Sequence, residues 1–455
     1  MSEFGEVLEL LLAHRWLFQS PVTKILVDQV LDKFPEGWAD ALESLTIEEL
    51  NAMVIGGLVR EDWPSSLVQF VRKCEEIRKE LSKDSFALDA GVDRMEKIPK
   101  ELIRGLSEKK QHEALLLGQL THEISEEEGL ELIVDLGAGL GYVCQLLHHL
   151  FNYKVLGLES NPRIVATANN RRNTLYPLSR SSVNYSCLRV SEDSSGEIEK
   201  LVEDFTGDEN TNFCLIGLHS CGDLSNNALR LFKEMNRARV LVMMSCCYHK
   251  IEWLEDETRF KNFPMSRGLQ QELERLENFQ GVREVLGRPF MRLACQEPSE
   301  KWQDMTPEDH GVHSICVIAR GVLELFCHRN NIKLTKMRRK SARQSQCQNF
   351  EAYLRNFVLR YNFDGQPLDE KYYEEITQLW EENKSKLRLA EIYTGLQLLL
   401  QASAEYLVLN DRRFWLKEQG FSNTRILSVL DRKLSPRSHA IISSKTNPQF
   451  SECLH

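Results

Sequence analysis

Hydrophobic and polar positions change their spacing twice along the chain. Up to about residue 105, Leu8, Leu11 and Leu12, and later Leu45, Leu50, Met53, Val54 and Leu58, recur at the interval of amphipathic helices. Breakers at Ser20-Pro21, Phe34-Pro35-Glu36-Gly37 and Trp63-Pro64 cut this stretch into short pieces. From about residue 130 short apolar runs take over. Leu130–Asp135, Tyr153–Glu159, Val183–Val190, Asn212–Leu218 and Arg239–Met244 each predict a strand, with helices at Tyr142–Phe151 and Ile164–Leu175. Such alternation builds right-handed βαβ units around a parallel sheet. After Lys250 the alternation stops and residues 267 to about 417 read as mainly helical, with breaks near Gly281, Gly287-Arg288-Pro289 and Gly365-Gln366-Pro367. Ile426–Leu430, a turn at Ser435-Pro436-Arg437 and His439–Ser443 then predict a closing β-hairpin.

The expected architecture is α/β: a Rossmann-like core whose mixed seven-stranded sheet is interrupted by a large helical insertion before its last two strands. The segments are an N-terminal helical domain (1–104), the first part of the core (105–250), the insertion (251–417) and the hairpin completing the core (418–455). No internal repeat is evident.

Between the first strand and the following helix lies Asp135-Leu-Gly137-Ala138-Gly139-Leu-Gly141. Glycines there let backbone approach a ligand and turn tightly into a helix N-terminus. A dinucleotide fingerprint, G-x-G-x-x-G, fails, because Tyr142 stands at the sixth place from Gly137. The pattern is D-x-G-x-G-x-G. Its strand-end carboxylate suits a cationic ligand such as S-adenosylmethionine, and Glu159, after the second strand, is placed to accept the hydroxyls of an adenosine ribose. Glu192 and Asp193 are candidates for the adenine amino group. The competing structural reading makes the glycines a tight turn and Glu159 a surface carboxylate.

Two clusters follow later strands: His219-Ser-Cys221-Gly-Asp223 after the fourth and Cys246-Cys247-Tyr-His249-Lys250 after the fifth. In an open α/β sheet ligands bind at the carboxyl ends of the strands near the switch point, so both clusters are expected to face the acceptor. Three chemistries compete for His219, Cys221, Asp223, Cys246, Cys247 and His249. A cysteine thiolate could attack a base covalently, His219, His249 or Asp223 could act as general base, and cysteines with histidines could bind zinc. The spacing lacks a C-x-x-C knuckle, so no metal is assigned; thiols that merely pack are the plain alternative.

Composition adds limits. The length of 455 residues suits two or three domain-sized units. A formal charge of −10, from 57 basic and 67 acidic residues, gives the whole chain no attraction for polyanions. One local basic stretch, Lys333, Lys336, Arg338, Arg339, Lys340 and Arg343, is a candidate phosphate-contacting patch, its bland counterpart being a solvated face. Twelve cysteines without a framework, an acidic helix-like start over Met1–Leu12 and no uninterrupted apolar run near ~18 residues predict a soluble intracellular protein, cytoplasmic, nuclear or both. No membrane association is expected; the N-terminal helical domain is a candidate protein-partner surface.

Leu106-Ser-Glu-Lys-Lys110-Gln-His112-Glu113, the Asp135–Gly141 block, Gly217–Leu224, Ser245–Lys250, Gln419-Gly-Phe421 and Leu434-Ser-Pro-Arg437 occur in this order. Together they resemble the methyltransferase-like protein 25 family, which includes the rRNA adenine dimethylase domain-containing proteins. The resemblance spans about 105 to 443 in separated blocks. It implies a class I methyltransferase core and S-adenosylmethionine-dependent methyl transfer, without naming a substrate. It carries cofactor binding onto Asp135, Gly137, Ala138, Gly139, Gly141 and Glu159, and extends it to Lys110 and His112. The dimethylase name does not carry over, since His219-Ser-Cys-Gly stands where adenine N6-methyltransferases place an N-P-P-[YF]-like motif. The H-x-C-G and C-C-x-H blocks are more similar to those of tRNA acceptor-stem 2′-O-methyltransferases, which favours RNA, with a hydroxyl or base acceptor. The alternatives are a non-catalytic binding protein on the same scaffold and a protein methyltransferase.

Overall fold

Leu132–Leu136 (β1) is buried at every position, as a central strand covered on both faces must be. It pairs in parallel with Lys154–Glu159 (β2) on one side and Phe213–Leu218 (β4) on the other. Val183–Cys187 (β3) and Ala238–Met244 (β5) extend the sheet, also in parallel. The structure is a computed structural model that describes residues 3–86, 98–254, 259–276, 282–297, 299–337 and 347–445. A separate two-stranded ribbon pairs Leu334–Lys336 (β6) with Tyr361–Phe363 (β7). Arg425–Ser428 (β8) and His439–Ser444 (β9) then return to the main sheet, whose order is β3-β2-β1-β4-β5-β9-β8. β9 runs antiparallel to both β5 and β8. This is the mixed seven-stranded sheet expected from the sequence, with the closing hairpin in place.

The order reverses between β1 and β4, which opens a crevice at the carboxyl ends of the strands. Helix Glu108–Glu127 buries Leu116, Leu117, Leu120 and Ile124 against the same core as Ile133 and Val155. Helix Tyr142–Phe151 adds Leu146 and Leu147 to that cluster. Tyr185 of β3 lies directly under the loop between β1 and this helix. Its hydroxyl donates to the Gly141 carbonyl at 3.2 Å, and a Cβ at Gly141 (φ +75°) would lie 2.1 Å from that oxygen. The third loop glycine is therefore fixed by close packing as well as by its left-handed conformation.

The chain divides into two compact units. One comprises Met1–Gly5, Arg78–Pro298 and Glu405–His455 and holds the seven-stranded sheet; the other comprises Glu6–Ile77 and Ser299–Ala404. These bounds differ from the four segments drawn from the sequence. Long-range contacts explain the difference inside the first unit: Phe86 N–H donates to Ser428 O at 2.8 Å and Ser428 N–H to Asp84 O at 2.9 Å. A segment read as part of a helical domain thus lines the outer edge of β8, where an unpaired strand would be exposed. Residues from Glu405 onward likewise join the sheet unit through side chains described below.

The second unit is helical apart from the ribbon, which lies within the stretch read as a helical insertion. Strands of three residues are too short to leave a periodic signal. Its helix Pro307–Arg329 is, among the described residues, the one helix long and apolar enough by length and composition to cross a membrane. Half of its most apolar window is buried inside the protein, including Ile318, Val322, Leu323 and Phe326.

Candidate functional site

Gly137, Glu159, Glu192, Asp193, His219, Cys221 and Asp223 line one open cleft of about 960 Å³ at the carboxyl end of the sheet. On the first-strand side, the N–H groups of Gly137 and Ala138 donate to Leu158 O at 2.8 and 3.0 Å, which folds the loop onto the end of β2. Gly137 and Gly139 hold φ values of +81° and +57°. A Cβ at Gly137 would stand 3.2 Å from Leu224. Glu159 Oε1 accepts from the Asn161 N–H at 2.9 Å and the Ser160 hydroxyl at 3.2 Å. Its Oε2 has no partner among the described residues, so one carboxylate oxygen is available to a ligand hydroxyl in the cleft.

Asp135 stands near the end of β1, as its motif suggests. Its side chain is buried beneath the glycine loop, is absent from the cleft lining, and accepts from the Cys144 thiol at 3.3 Å. Burial pushes its carboxyl up to about 6; the Cys144 hydrogen bond opposes this and the Glu159 charge adds to it. Lys110 is exposed on helix Glu108–Glu127 and does not line the cleft. His112 accepts from the Asp431 N–H through Nε2 at 2.9 Å, tying the loop before β9 to that helix. Glu192 accepts from Arg230 at 2.9 Å, so an exposed carboxylate read as an adenine contact is ion-paired at the cleft wall.

At the end of β4, His219 adopts φ +57°, which turns its imidazole back towards helix Glu108–Glu127. Nε2 lies 2.9 Å from Glu113 Oε2, and Glu113 Oε1 accepts from the Ser435 hydroxyl at 2.6 Å. Glu113 is fully buried, while the His219 side chain is 40% exposed. Burial alone would raise the Glu113 carboxyl. The hydrogen bonds from His219 and Ser435, with the charges of His219 and Lys109, outweigh it and hold the carboxyl below its ordinary range. An ionised carboxylate behind a half-exposed imidazole fixes the ring's orientation. Glu113 was legible only as part of a sequence block, because its partners lie 106 and 322 residues away.

Asp223 anchors the same wall. Its Oδ2 accepts from the Glu252 N–H and its Oδ1 from the Asn262 amide, both at 2.7 Å. The Ser220 N–H donates to Met244 O at 3.1 Å and the Gly222 N–H to Cys247 O at 3.3 Å, which holds the β4 and β5 ends side by side. Cys221 and Cys246 sulfurs are consequently 3.0 Å apart and those of Cys246 and Cys247 3.3 Å apart. The hydrogen bond from Cys246 is the largest influence lowering the Cys221 thiol to about 6, against its burial; Cys247, Lys250 and His219 add to the lowering. Cys246, hydrogen-bonded to Cys221 and half-buried, is pushed the other way. His249 turns aside: its Nδ1 meets Cys295 Sγ at 3.0 Å, and burial, with Arg292, Lys250 and Arg288 nearby, favours its neutral form.

A buried polar frame supports the β5 end; Ser245, Tyr248 and Arg437 belong to blocks quoted from the sequence, whereas Glu405 and Arg412 do not. Glu405 pairs with Arg437 at 3.0 Å and accepts from the Tyr248 hydroxyl at 3.2 Å. Arg437 also donates to the Ala294 and Gln296 carbonyls, and Arg412 donates to the Ser245 hydroxyl at 2.8 Å. The Leu434-Ser-Pro-Arg437 block thus works at two points, Ser435 on Glu113 and Arg437 on Glu405.

Residues 109–253 match the family model described as a methyltransferase domain. The chain is 26% identical over 291 residues to a Homo sapiens protein named "Probable methyltransferase-like protein 25", covering 62% of this chain and 44% of that one. The Mus musculus protein of the same name is 26% identical over 284 residues, covering 60% and 43%. This chain therefore spans less than half the length of these relatives. A solved S-adenosylhomocysteine-bound methyltransferase of Podospora anserina superposes with a TM-score of 0.24 at 13% identity, covering 50% of this chain and 91% of that one. At that score the fold assignment stands on the strand order itself.

Proposed function

Taking the chain as a relative of the methyltransferase-like protein 25 proteins with a methyltransferase domain at 109–253, we propose that it transfers a methyl group from S-adenosylmethionine to RNA. The observation that carries the reading is one cleft with a glycine turn and Glu159 on one wall and a carboxylate-backed His219 on the other. The residues fit the cofactor: Gly137 has no side chain to fill the approach, and Glu159 keeps an oxygen for the ribose hydroxyls. When bound, the cofactor supplies an electrophilic methyl group on a sulfonium.

The chain's residues do the rest. The 137–141 turn and Glu159 bind and orient the adenosyl group. Asp135, beneath the loop, contributes a buried carboxyl that favours positive charge nearby when ionised. His219, aligned by Glu113, takes the proton from the acceptor as it attacks, and Glu113 stabilises the imidazolium that results. Asp223 acts by position, joining the loop after β5 to the β4 end.

An RNA acceptor is supported by the similarity of the His219–Gly222 and Cys246–His249 blocks to the acceptor-stem 2′-O-methyltransferases. The basic stretch adds Lys333 and Lys336, both exposed; Arg338, Arg339, Lys340 and Arg343 lie outside the described residues. Calorimetric titration with S-adenosylhomocysteine and S-adenosylmethionine tests the cofactor. Wild-type protein binds both, and Glu159→Ala loses about 10–100-fold in affinity, the worth of one charged hydrogen bond. Folded wild-type protein that binds neither would instead favour a scaffold. For the acceptor, methyl incorporation into RNA and protein fractions is compared, and label found only in protein overturns the RNA reading.

A further inference from the structure

We propose that Cys221, Cys246 and Cys247 form a binding site for one zinc ion, with the fourth coordination position supplied from the cleft. The sequence leaves zinc as one of three competing chemistries and assigns no metal, because no pair of these residues has knuckle spacing. The fold supplies the ground. Backbone hydrogen bonds Ser220–Met244 and Gly222–Cys247 clamp the ends of β4 and β5 together. Gly222 makes the approach feasible, since a Cβ there would lie 2.7 Å from the Lys250 carbonyl. The outcome is three sulfurs all within 4.8 Å of one another, each half-buried.

The geometry and chemistry suit a soft d¹⁰ cation. Zn–S bonds of about 2.3 Å in a tetrahedron put sulfurs about 3.8 Å apart. The observed 3.0 and 3.3 Å separations reach that value by small side-chain rotations that leave the backbone clamp intact. Three thiolates around Zn²⁺ leave one net negative charge, and the Lys250 ammonium lies within electrostatic reach of Cys221 and Cys247. Three protein ligands rather than four are the pattern of a zinc ion that keeps an exchangeable position. Cys221 lines the cleft, so water or the heteroatom of a ligand held there completes the shell. His249 is not the fourth ligand in this arrangement, being engaged by Cys295. The site stands apart from the methyl-transfer reading and is testable without it.

The test uses the full chain purified under reducing conditions without chelator. Elemental analysis is expected to find one zinc per chain, and replacement by Co²⁺ to give thiolate-to-cobalt charge-transfer bands with tetrahedral d–d bands. Cys221→Ser, Cys246→Ser and Cys247→Ser each weaken zinc binding at least about 100-fold in competition with a chromophoric chelator, more than loss of an outer-shell contact would. Cys187→Ser, at an exposed thiol on another strand, leaves it unchanged. The cobalt spectrum of wild-type protein guards against variants that fail to fold. Wild-type protein with titratable thiols that takes up neither zinc nor cobalt overturns the proposal. So does zinc retained by all three variants.

Discussion

Glu113→Gln removes one charge and almost no volume from a fully buried position, which makes it a sharp probe of the His219 arrangement. The carboxylate makes two short hydrogen bonds, 2.9 Å to His219 and 2.6 Å to Ser435. A hydrogen bond to a charged group is worth about 1.5–3 kcal/mol and a neutral one about 0.5–1.5. Losing the charge should therefore cost about 1 kcal/mol per bond, discounted at His219 because that ring is 40% exposed to solvent. The expected loss is about 1–2 kcal/mol, or about 2–8 °C in Tm for a unit of this size. The sign with pH follows from linkage. The folded carboxyl sits below its ordinary 4.5, so its stabilisation is present above the unfolded pKa and is lost as pH falls through the folded one. Chemical denaturation between pH 4 and 8 should show a constant gap between wild type and variant down to about pH 5, closing below the ordinary carboxylate range. Methyl transfer should fall about 100-fold or more while S-adenosylhomocysteine affinity is kept, as expected when a general base is misaligned. A gap of equal size at pH 4 and pH 7.5, or no gap at all, would refute an ionised Glu113.

Three further outcomes are expected. Arg437→Met, which leaves Glu405 buried without its cation, should cost about 3–5 kcal/mol in denaturant unfolding, whereas Arg437→Met with Glu405→Leu should recover much of it; an unrecovered double variant would count against the pair. Gly141→Ala should destabilise by more than about 2 kcal/mol, because the new methyl meets the Tyr185 hydroxyl and ring in a left-handed conformation, and Tyr185→Phe should relieve little of the loss because the ring carbons Cζ and Cε1 stay in the way; full rescue by that change, read by chemical denaturation, would contradict the packing. In chelator-treated protein, iodoacetamide should modify Cys221 first, with a pH midpoint near 6, read by peptide mass spectrometry; first modification of Cys246 would contradict the hydrogen-bond order of the cluster.

The sheet was legible because its strands announce themselves locally. β1, β2, β4 and β5 are nearly continuous apolar runs, as buried parallel strands must be, and the helix after the glycine loop runs over Tyr142–Phe151 as its pattern predicts. What escaped is what depends on residues far apart in sequence. Nothing local marks residues 84–86 as partners of Ser428, or Glu405 as the anion for Arg437. Of the motif read as a cofactor loop, Gly137 lines the cleft, while the Asp135 carboxyl is buried, a side-chain direction that a motif does not fix. The basic helix position Lys110 matched a block by order alone, and its exposure follows from the helix face it occupies.

The position of β9 has a consequence for how the molecule is made. β5 ends at Met244, and its partner begins only at His439. A ribosome adding about 5–20 residues per second needs about 10–40 s to cover that interval. Throughout it the nascent sheet presents a long apolar edge with unpaired backbone groups, and Glu113 lacks the Ser435 hydroxyl that completes its setting. The Glu113–Ser435 contact is thus made late, by the segment that seals the edge, so an arrested or prematurely terminated chain would keep that edge open and Glu113 without this partner.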